Sequence, residues 1–180
     1  KQVTVSLVNE VGYIQPLFGD YLHYPDGFFL GGPGSLRGFK DRGVGPREIN
    51  ARKKDGSIGG QFLWDGTLQS SFPLGLPEEY AIRGRVFSDF GLLTGTDVKS
   101  SNNQPISDDG SIRASIGGGL TWVSPFGPLA IDLAYPIIKQ SQDQTEYFSF
   151  SFGTNFWSTF KLLEGCEGAD APRPRVAELQ

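Results

Sequence analysis

Apolar and polar residues alternate with period two in six segments of the chain, and that period puts successive side chains on opposite faces of a β-strand. In 3–14, Val3, Val5, Leu7, Val11 and Tyr13 share one face. In 60–72, Phe62, Trp64, Leu68 and Phe72 oppose Gln61, Asp65, Thr67, Gln69 and Ser71. In 80–92, Ile82, Val86 and Phe90 oppose Arg83, Arg85, Phe87 and Asp89. In 111–123, Ile112, Ala114, Ile116, Leu120 and Trp122 oppose Ser111, Arg113, Ser115 and Thr121. In 128–139, Leu129, Ile131, Leu133, Tyr135 and Ile137 oppose Ala130, Asp132 and Ala134. In 146–156, Phe148, Phe150, Phe152 and Phe156 oppose Ser149, Ser151, Gly153 and Asn155.

These segments run 11–13 residues, against the usual ~5–6 of strands in globular proteins. A tilted strand needs ~9–11 residues to cross a membrane. One face is apolar and the other small, polar or charged, the pattern of a lipid-facing exterior and a wet lumen. A soluble sandwich also alternates, but on shorter strands. The connections alternate as well. "PLGLPEE" (73–79) and "SPFGP" (124–128) are short turns, whereas 93–110, 139–146 and the glycine-rich 16–59 are long. Short turns at one end and long loops at the other fit an antiparallel transmembrane β-barrel. Beyond Phe156 the alternation stops, and 157–180 is expected to be a flexible tail of low hydrophobicity.

Composition narrows the function. Net charge is −4 and the bases are scattered, so no basic face argues for nucleic acid. Cys166 is the only cysteine, which excludes an intrachain disulfide and a cysteine metal cluster. No run of 18 apolar residues provides a membrane helix, which leaves barrel strands open. The chain starts at Lys1, has no Met and shows no signal peptide, so a processed chain or a piece of a longer one is expected.

Candidate chemistry is sparse. His23 is the only histidine and has no Ser-His-Asp or Cys-His set around it. "SDDGS" (107–111) lacks the ligand spacing of a calcium loop and reads as a turn. "GGPGSLRG" lacks the Lys-Ser/Thr of a phosphate loop and does not match the dinucleotide fingerprint. No catalytic residue, cofactor or metal is therefore expected. Arg37 remains. Glycines would let its loop fold tightly into a barrel lumen, and a partly dehydrated guanidinium there needs a carboxylate. Asp89 is the best placed, on the polar face between Phe87 and Gly91; Asp65 and Asp132 compete, and Gln69 can add a neutral hydrogen bond. A planar guanidinium suits such a clamp better than lysine does.

"FFLGGPGSLRGF…GVGPRE" (28–48) resembles the loop-six signature of the outer-membrane barrel-assembly insertases, the BamA family. "GRVFSDFGLL" resembles the strand whose aspartate receives the loop arginine, "SIGGGLTWVSPFGPLAIDLAYPI" the penultimate hairpin, and "FSFSFGTNF" the final strand. "SFPLGLPEEYAIRG" is similar to the alphaproteobacterial members, and the matches run in order over 12–156.

The resemblance implies that 1–156 supplies the last six strands of a sixteen-stranded barrel, with the loop folded inward. It implies Arg37, Gly38 and Phe39 as the loop motif and Asp89 as partner. Gln69 stands where some members carry a second acid, so the clamp would rest on Asp89 alone. Phe148, Phe150, Phe152, Gly153 and Phe156 would form the final strand, 146–156, at a lateral seam. The implied function is insertion of client β-barrel proteins into the outer membrane of a Gram-negative bacterium, without enzymatic catalysis. Implied partners are outer-membrane lipids, client barrels, the remaining barrel strands, and accessory lipoproteins bound through N-terminal domains absent from this sequence. A translocation-and-assembly relative or a two-partner secretion pore shares the arginine loop and is the alternative. A soluble β-sandwich binding module is the third reading.

Overall fold

The computed structural model describes residues 2–16, 26–48, 56–77, 81–95, 106–124 and 127–152. Its strands are β1 (Thr4–Tyr13), β2 (Arg47–Glu48), β3 (Phe62–Pro73), β4 (Ile82–Thr94), β5 (Ile106–Ser107), β6 (Arg113–Ser124), β7 (Gly127–Ile138) and β8 (Phe148–Phe152). Six of them form one antiparallel meander in the order β1-β3-β4-β6-β7-β8, and β2 pairs with β5 in a two-stranded ribbon. The large sheet is open, with β1 and β8 at its edges.

Burial across this sheet is inverted relative to a soluble protein. Leu7 on β1 and Leu133 on β7 are 60% and 63% exposed, while Asp89 on β4 and Asp132 on β7 are 0% and 2% exposed. Exposed apolar side chains run along the outer face of all six strands: Val5, Leu68, Val86, Ile116, Ile131 and Phe150 are examples. A contiguous apolar surface of that extent fits hydrocarbon and not water. Rings mark the long-loop end of the outer face. Tyr135 stacks on Tyr147 at 5.9 Å, and Trp64 meets Phe90 at 5.4 Å. Aromatic rings at such levels are the interfacial girdle of outer-membrane barrels.

The aliphatic core lies on the inner face. Leu30, Leu36, Phe39 and Val44 of the loop between β1 and β3 pack on Leu63 of β3 and Leu93 of β4, with Phe28 alongside. The glycine-rich segment therefore turns back over the sheet and fills its interior. Bridges between Phe28 and Gly60 and between Leu30 and Val44 fold it on itself. On the β6–β7 ladder the register shifts between Ala114 and Ser115: Ala114 faces Ile138 while Ser115 faces Pro136. Such a bulge is where a strand accommodates proline, which lacks the ladder N–H.

Two expectations differ from the structure. The last strand starts at Phe148 and not at residue 146; just ahead of it, the Glu146 N–H donates to Gly38 O of the loop, 3.0 Å away. Its continuation through Gly153 to Phe156, and the tail 157–180, lie outside the described residues, as does His23. The β2–β5 ribbon was not expected, since two-residue strands carry no period.

A buried arginine clamp as candidate functional site

Alternation along β4 sends Arg85, Phe87 and Asp89 to the inner face in succession, and each takes part in the site. Arg37 reaches Asp89 through two parallel hydrogen bonds: Nε donates to Oδ2 at 2.7 Å and Nη2 to Oδ1 at 2.7 Å. The Arg37 backbone N–H also donates to Oδ2 at 3.1 Å, and Thr67 Oγ1 on β3 donates to Oδ1 at 2.9 Å. Asp89 thus accepts from four donors. Arg37 Nη1 donates to Gln69 Oε1 at 3.3 Å. Below the guanidinium lies Phe87, with its ring centroid 3.3 Å from Cζ. A bidentate pair with remaining lone pairs satisfied meets the condition under which two buried charges are tolerated. The ring face adds cation–π attraction that a lysine could not match in the same plane.

Of the competing carboxylates, Asp132 has its own arginine. Arg85 Nε donates to Asp132 Oδ1 at 2.8 Å, and Arg85 Nη2 contacts the other oxygen. Arg37 Nη1 lies 4.0 Å from Asp132 Oδ2. The clamp therefore does not rest on Asp89 alone: two arginines and two aspartates form one charge-balanced cluster, with Gln69 at its edge. Asp65 faces Glu10 across the β1–β3 ladder instead.

The Arg85–Asp132 bond spans β6, which lies between β4 and β7, and Gly119 is the residue in register with both. A Cβ at Gly119 would run into the Asp132 carboxylate, and one at Gly117 would lie 2.5 Å from the Phe87 ring. Gly117 and Gly119, on the inner face, thus leave a trough that the Phe87 ring and the Asp132 carboxylate occupy. Gly119→Ala is expected to break the Arg85–Asp132 contact. A drop in the thermal transition of the folded complete protein, absent when Gly75 at an open turn is replaced by Asn, would measure it.

The loop tip is held by backbone as well as side chain. Gly38 has φ +92°, in the region that favours glycine, and its Cβ position would be 3.2 Å from Ser115 Cβ on β6. Phe39 is 2% exposed within the inner core. Phe39→Ala is expected to cost ~3–5 kcal/mol, as for a buried ring replaced by a cavity. Equilibrium urea titration of the complete protein in bilayers would show the lowered midpoint. Around the tip, Arg47 Nη2 donates to Gly43 O at 2.6 Å. Burial pushes the Arg47 guanidinium below its ordinary value; Asp143 opposes that shift and Arg113 adds to it. Arg113 Nε donates to Asp143 Oδ2 at 3.1 Å, which ties the 139–147 connection to β6.

Phe148, Phe150 and Phe152 form the outer row of β8, all exposed, with Ser149 and Ser151 turned inward. Gly153 and Phe156 lie outside the described residues. A cavity of about 670 Å³ adjoins the clamp, lined by Arg37, Gln69, Thr67, Asp65 and Arg85 among others. Among the described residues, no group of three His, Cys, Asp or Glu side chains could hold a metal ion. Sequence reasoning missed the roles of Phe87, Thr67 and Arg85. Their shared inward face was visible from alternation, but their partners lie one or two strands away.

Three comparisons bear on this arrangement. Residues 1–156 match the Omp85 superfamily domain. The chain is 31% identical over 156 residues to the outer membrane protein assembly factor BamA of Neorickettsia risticii, a match covering 87% of this chain and 20% of that protein. It is 30% identical over 176 residues to the outer membrane protein assembly factor BamA of Neisseria meningitidis serogroup B, covering 87% and 22%. The crystal structure of BamA from Haemophilus ducreyi lacking POTRA domains 1–3 superposes with a TM-score of 0.69 at 30% identity, over 82% of this chain and 30% of that one. The chain spans about a fifth of the length of the curated relatives it matches. With its outer apolar face, inner clamp and open antiparallel meander, it is part of an outer-membrane β-barrel of a Gram-negative bacterium, and it belongs to the Omp85 superfamily.

Proposed function

We propose that the protein to which this sheet belongs folds client β-barrel proteins and inserts them into the outer membrane, and that it does so without covalent catalysis. The carrying observation is the Arg37–Asp89 clamp, which locks a long loop against the inner wall of a sheet whose other face meets lipid. A lock of that kind stiffens the wall at β4, which β6 and β7 separate from β8, the strand that must open. Among the described residues β8 is an edge strand paired with β7, and an unpaired edge offers main-chain donors and acceptors to an incoming strand. Client strands would add at the seam between this edge and the first strand of the complete barrel.

In this reading Arg37, Gly38 and Phe39 hold the loop, and Asp89 with Gln69 receives it. Phe148, Phe150 and Phe152 face lipid at the seam. Gly153 would weaken pairing there, since a strand glycine packs no side chain, and Phe156 would be the terminal aromatic. The remaining barrel strands, lipids, clients and accessory lipoproteins docked through N-terminal domains complete the working assembly. The test is reconstitution: the complete protein in liposomes, given a urea-unfolded outer-membrane barrel. The expected result is faster appearance of heat-modifiable, protease-resistant client than in empty liposomes. Equal rates, with the reconstituted protein itself folded, would remove the insertase reading.

A further inference from the structure

We infer that the Arg37-Gly38-Phe39 tip positions the edge strand, so that seating the tip on Asp89 and starting β8 on β7 are one coupled event. The inference deepens the insertase reading and rests on it for its consequence at the seam. Three backbone hydrogen bonds join the tip to the connection before β8: Lys40 N–H to Gln144 O at 2.9 Å, Gln144 N–H to Gly43 O at 3.1 Å, and Glu146 N–H to Gly38 O at 3.0 Å. Phe39 and Thr145 form the bridge between them. The tip is thus a short antiparallel partner for 144–146.

The next residue belongs to the sheet. Tyr147 O accepts from Ala134 N–H of β7 at 2.9 Å, and the β7–β8 ladder then runs from Leu133 with Phe148 to Leu129 with Phe152. β7 itself extends on to Ile138, beyond Leu133, which pairs with Phe148, the first residue of β8. One segment is therefore handed from the loop tip at Glu146 to the sheet at Tyr147. The tip is anchored on its other side by Arg37, whose backbone and guanidinium both bind Asp89. β4, which carries Asp89, is separated from β8 by β6 and β7 in the sheet. The tip is a shorter physical route between them. A five-residue strand paired on one side is the part of a sheet that opens at lowest cost, so its anchorage decides how often it does so.

The experiment is amide hydrogen exchange on the complete protein in lipid nanodiscs. In the unaltered protein, amides of 37–40 and 144–152 should share one opening isotherm in added denaturant. Gly43→Ala is the first variant: its Cβ would sit 2.8 Å from Gln144 O and 2.7 Å from Lys40 O, wedging the tip from 139–147 without touching Asp89. Asp89→Asn is the second, acting on the tip from the opposite side. Both should speed exchange at 146–152 about tenfold, the equivalent of one net hydrogen bond, while β6 and β7 stay slow.

Separate isotherms in the unaltered protein would overturn the coupling. So would unchanged exchange at 146–152 in variants whose 36–44 amides exchange faster. The exchange experiment contains no client. Coupling found in a protein that folds clients no faster than empty liposomes do would retain the positioning role and count against the insertase reading alone.

Discussion

Asp89→Ala in the complete protein is expected to expel the loop from the inner wall and, under the insertase role proposed above, to abolish outer-membrane assembly. The substitution removes one carboxylate and leaves four donors without an acceptor, including both arms of the Arg37 guanidinium. Removing one partner of a buried ion pair typically costs ~3–5 kcal/mol, because the remaining charge stays dehydrated. Here the remaining charge can relieve itself by moving, since Arg37 sits on a loop. The loss should therefore be read as a new protease-sensitive site within 28–48 and as failed complementation in cells.

Arg37→Ala should be as severe on stability, because it leaves the buried Asp89 carboxylate on β4 without its cation. It should be equally severe on loop placement. The charge-swapped pair, Arg37→Asp with Asp89→Arg, should recover only part of the loss. Residue 37 would still aim its backbone N–H, and Thr67 its hydroxyl, at a position that no longer accepts. Phe87 would also lose the guanidinium stacked on it. Single variants whose loop stays protected, or a double-mutant cycle without coupling, would remove the pair from the mechanism.

Leu133→Arg is expected to cost ~2–4 kcal/mol of folding stability in a bilayer, the depth-dependent penalty for a cation on the lipid face of a barrel. Leu133 lies midway along β7 and is 63% exposed, opposite Phe148 on β8 and Gly118 on β6. In a water-soluble sheet the same exposed position would accept arginine within about 0.5 kcal/mol. The two readings of the outer face are thus separated by one substitution. Its neighbour Asp132 makes the contrast sharper, since there a charge is buried against Arg85 on the other face. Folding of Leu133→Arg into liposomes, followed by heat modifiability against urea, would give the difference. An unshifted midpoint would contradict lipid contact at this face.

Period-two alternation was sufficient to place the outer row of every long strand, because neighbouring positions on a strand face opposite environments whatever the partner strand. That is why the sequence alone puts Val5, Leu7 and Val11 of β1 on one face of their strand, and Leu129, Ile131, Leu133 and Tyr135 of β7 on one face of theirs. The need of Arg37 for a carboxylate was equally legible, since burying a guanidinium without one is prohibitive. Three aspartates met that need on the sequence, and Asp89 was preferred from its place on the polar face.

What the sequence alone determined about this protein was local: strand lengths, which face of each meets lipid, and a glycine-rich loop able to turn inward. The tertiary structure decided the rest. It assigned Asp132 to Arg85 across β6, which depends on Gly119 standing in register with both. It started β8 at Phe148 and seated the Glu146 N–H, just ahead of it, on the Gly38 carbonyl of the loop. Such choices rest on main-chain groups that every residue carries and on distances between strands far apart in the chain. Neither leaves a mark in the order of side chains, so only folding could reveal them.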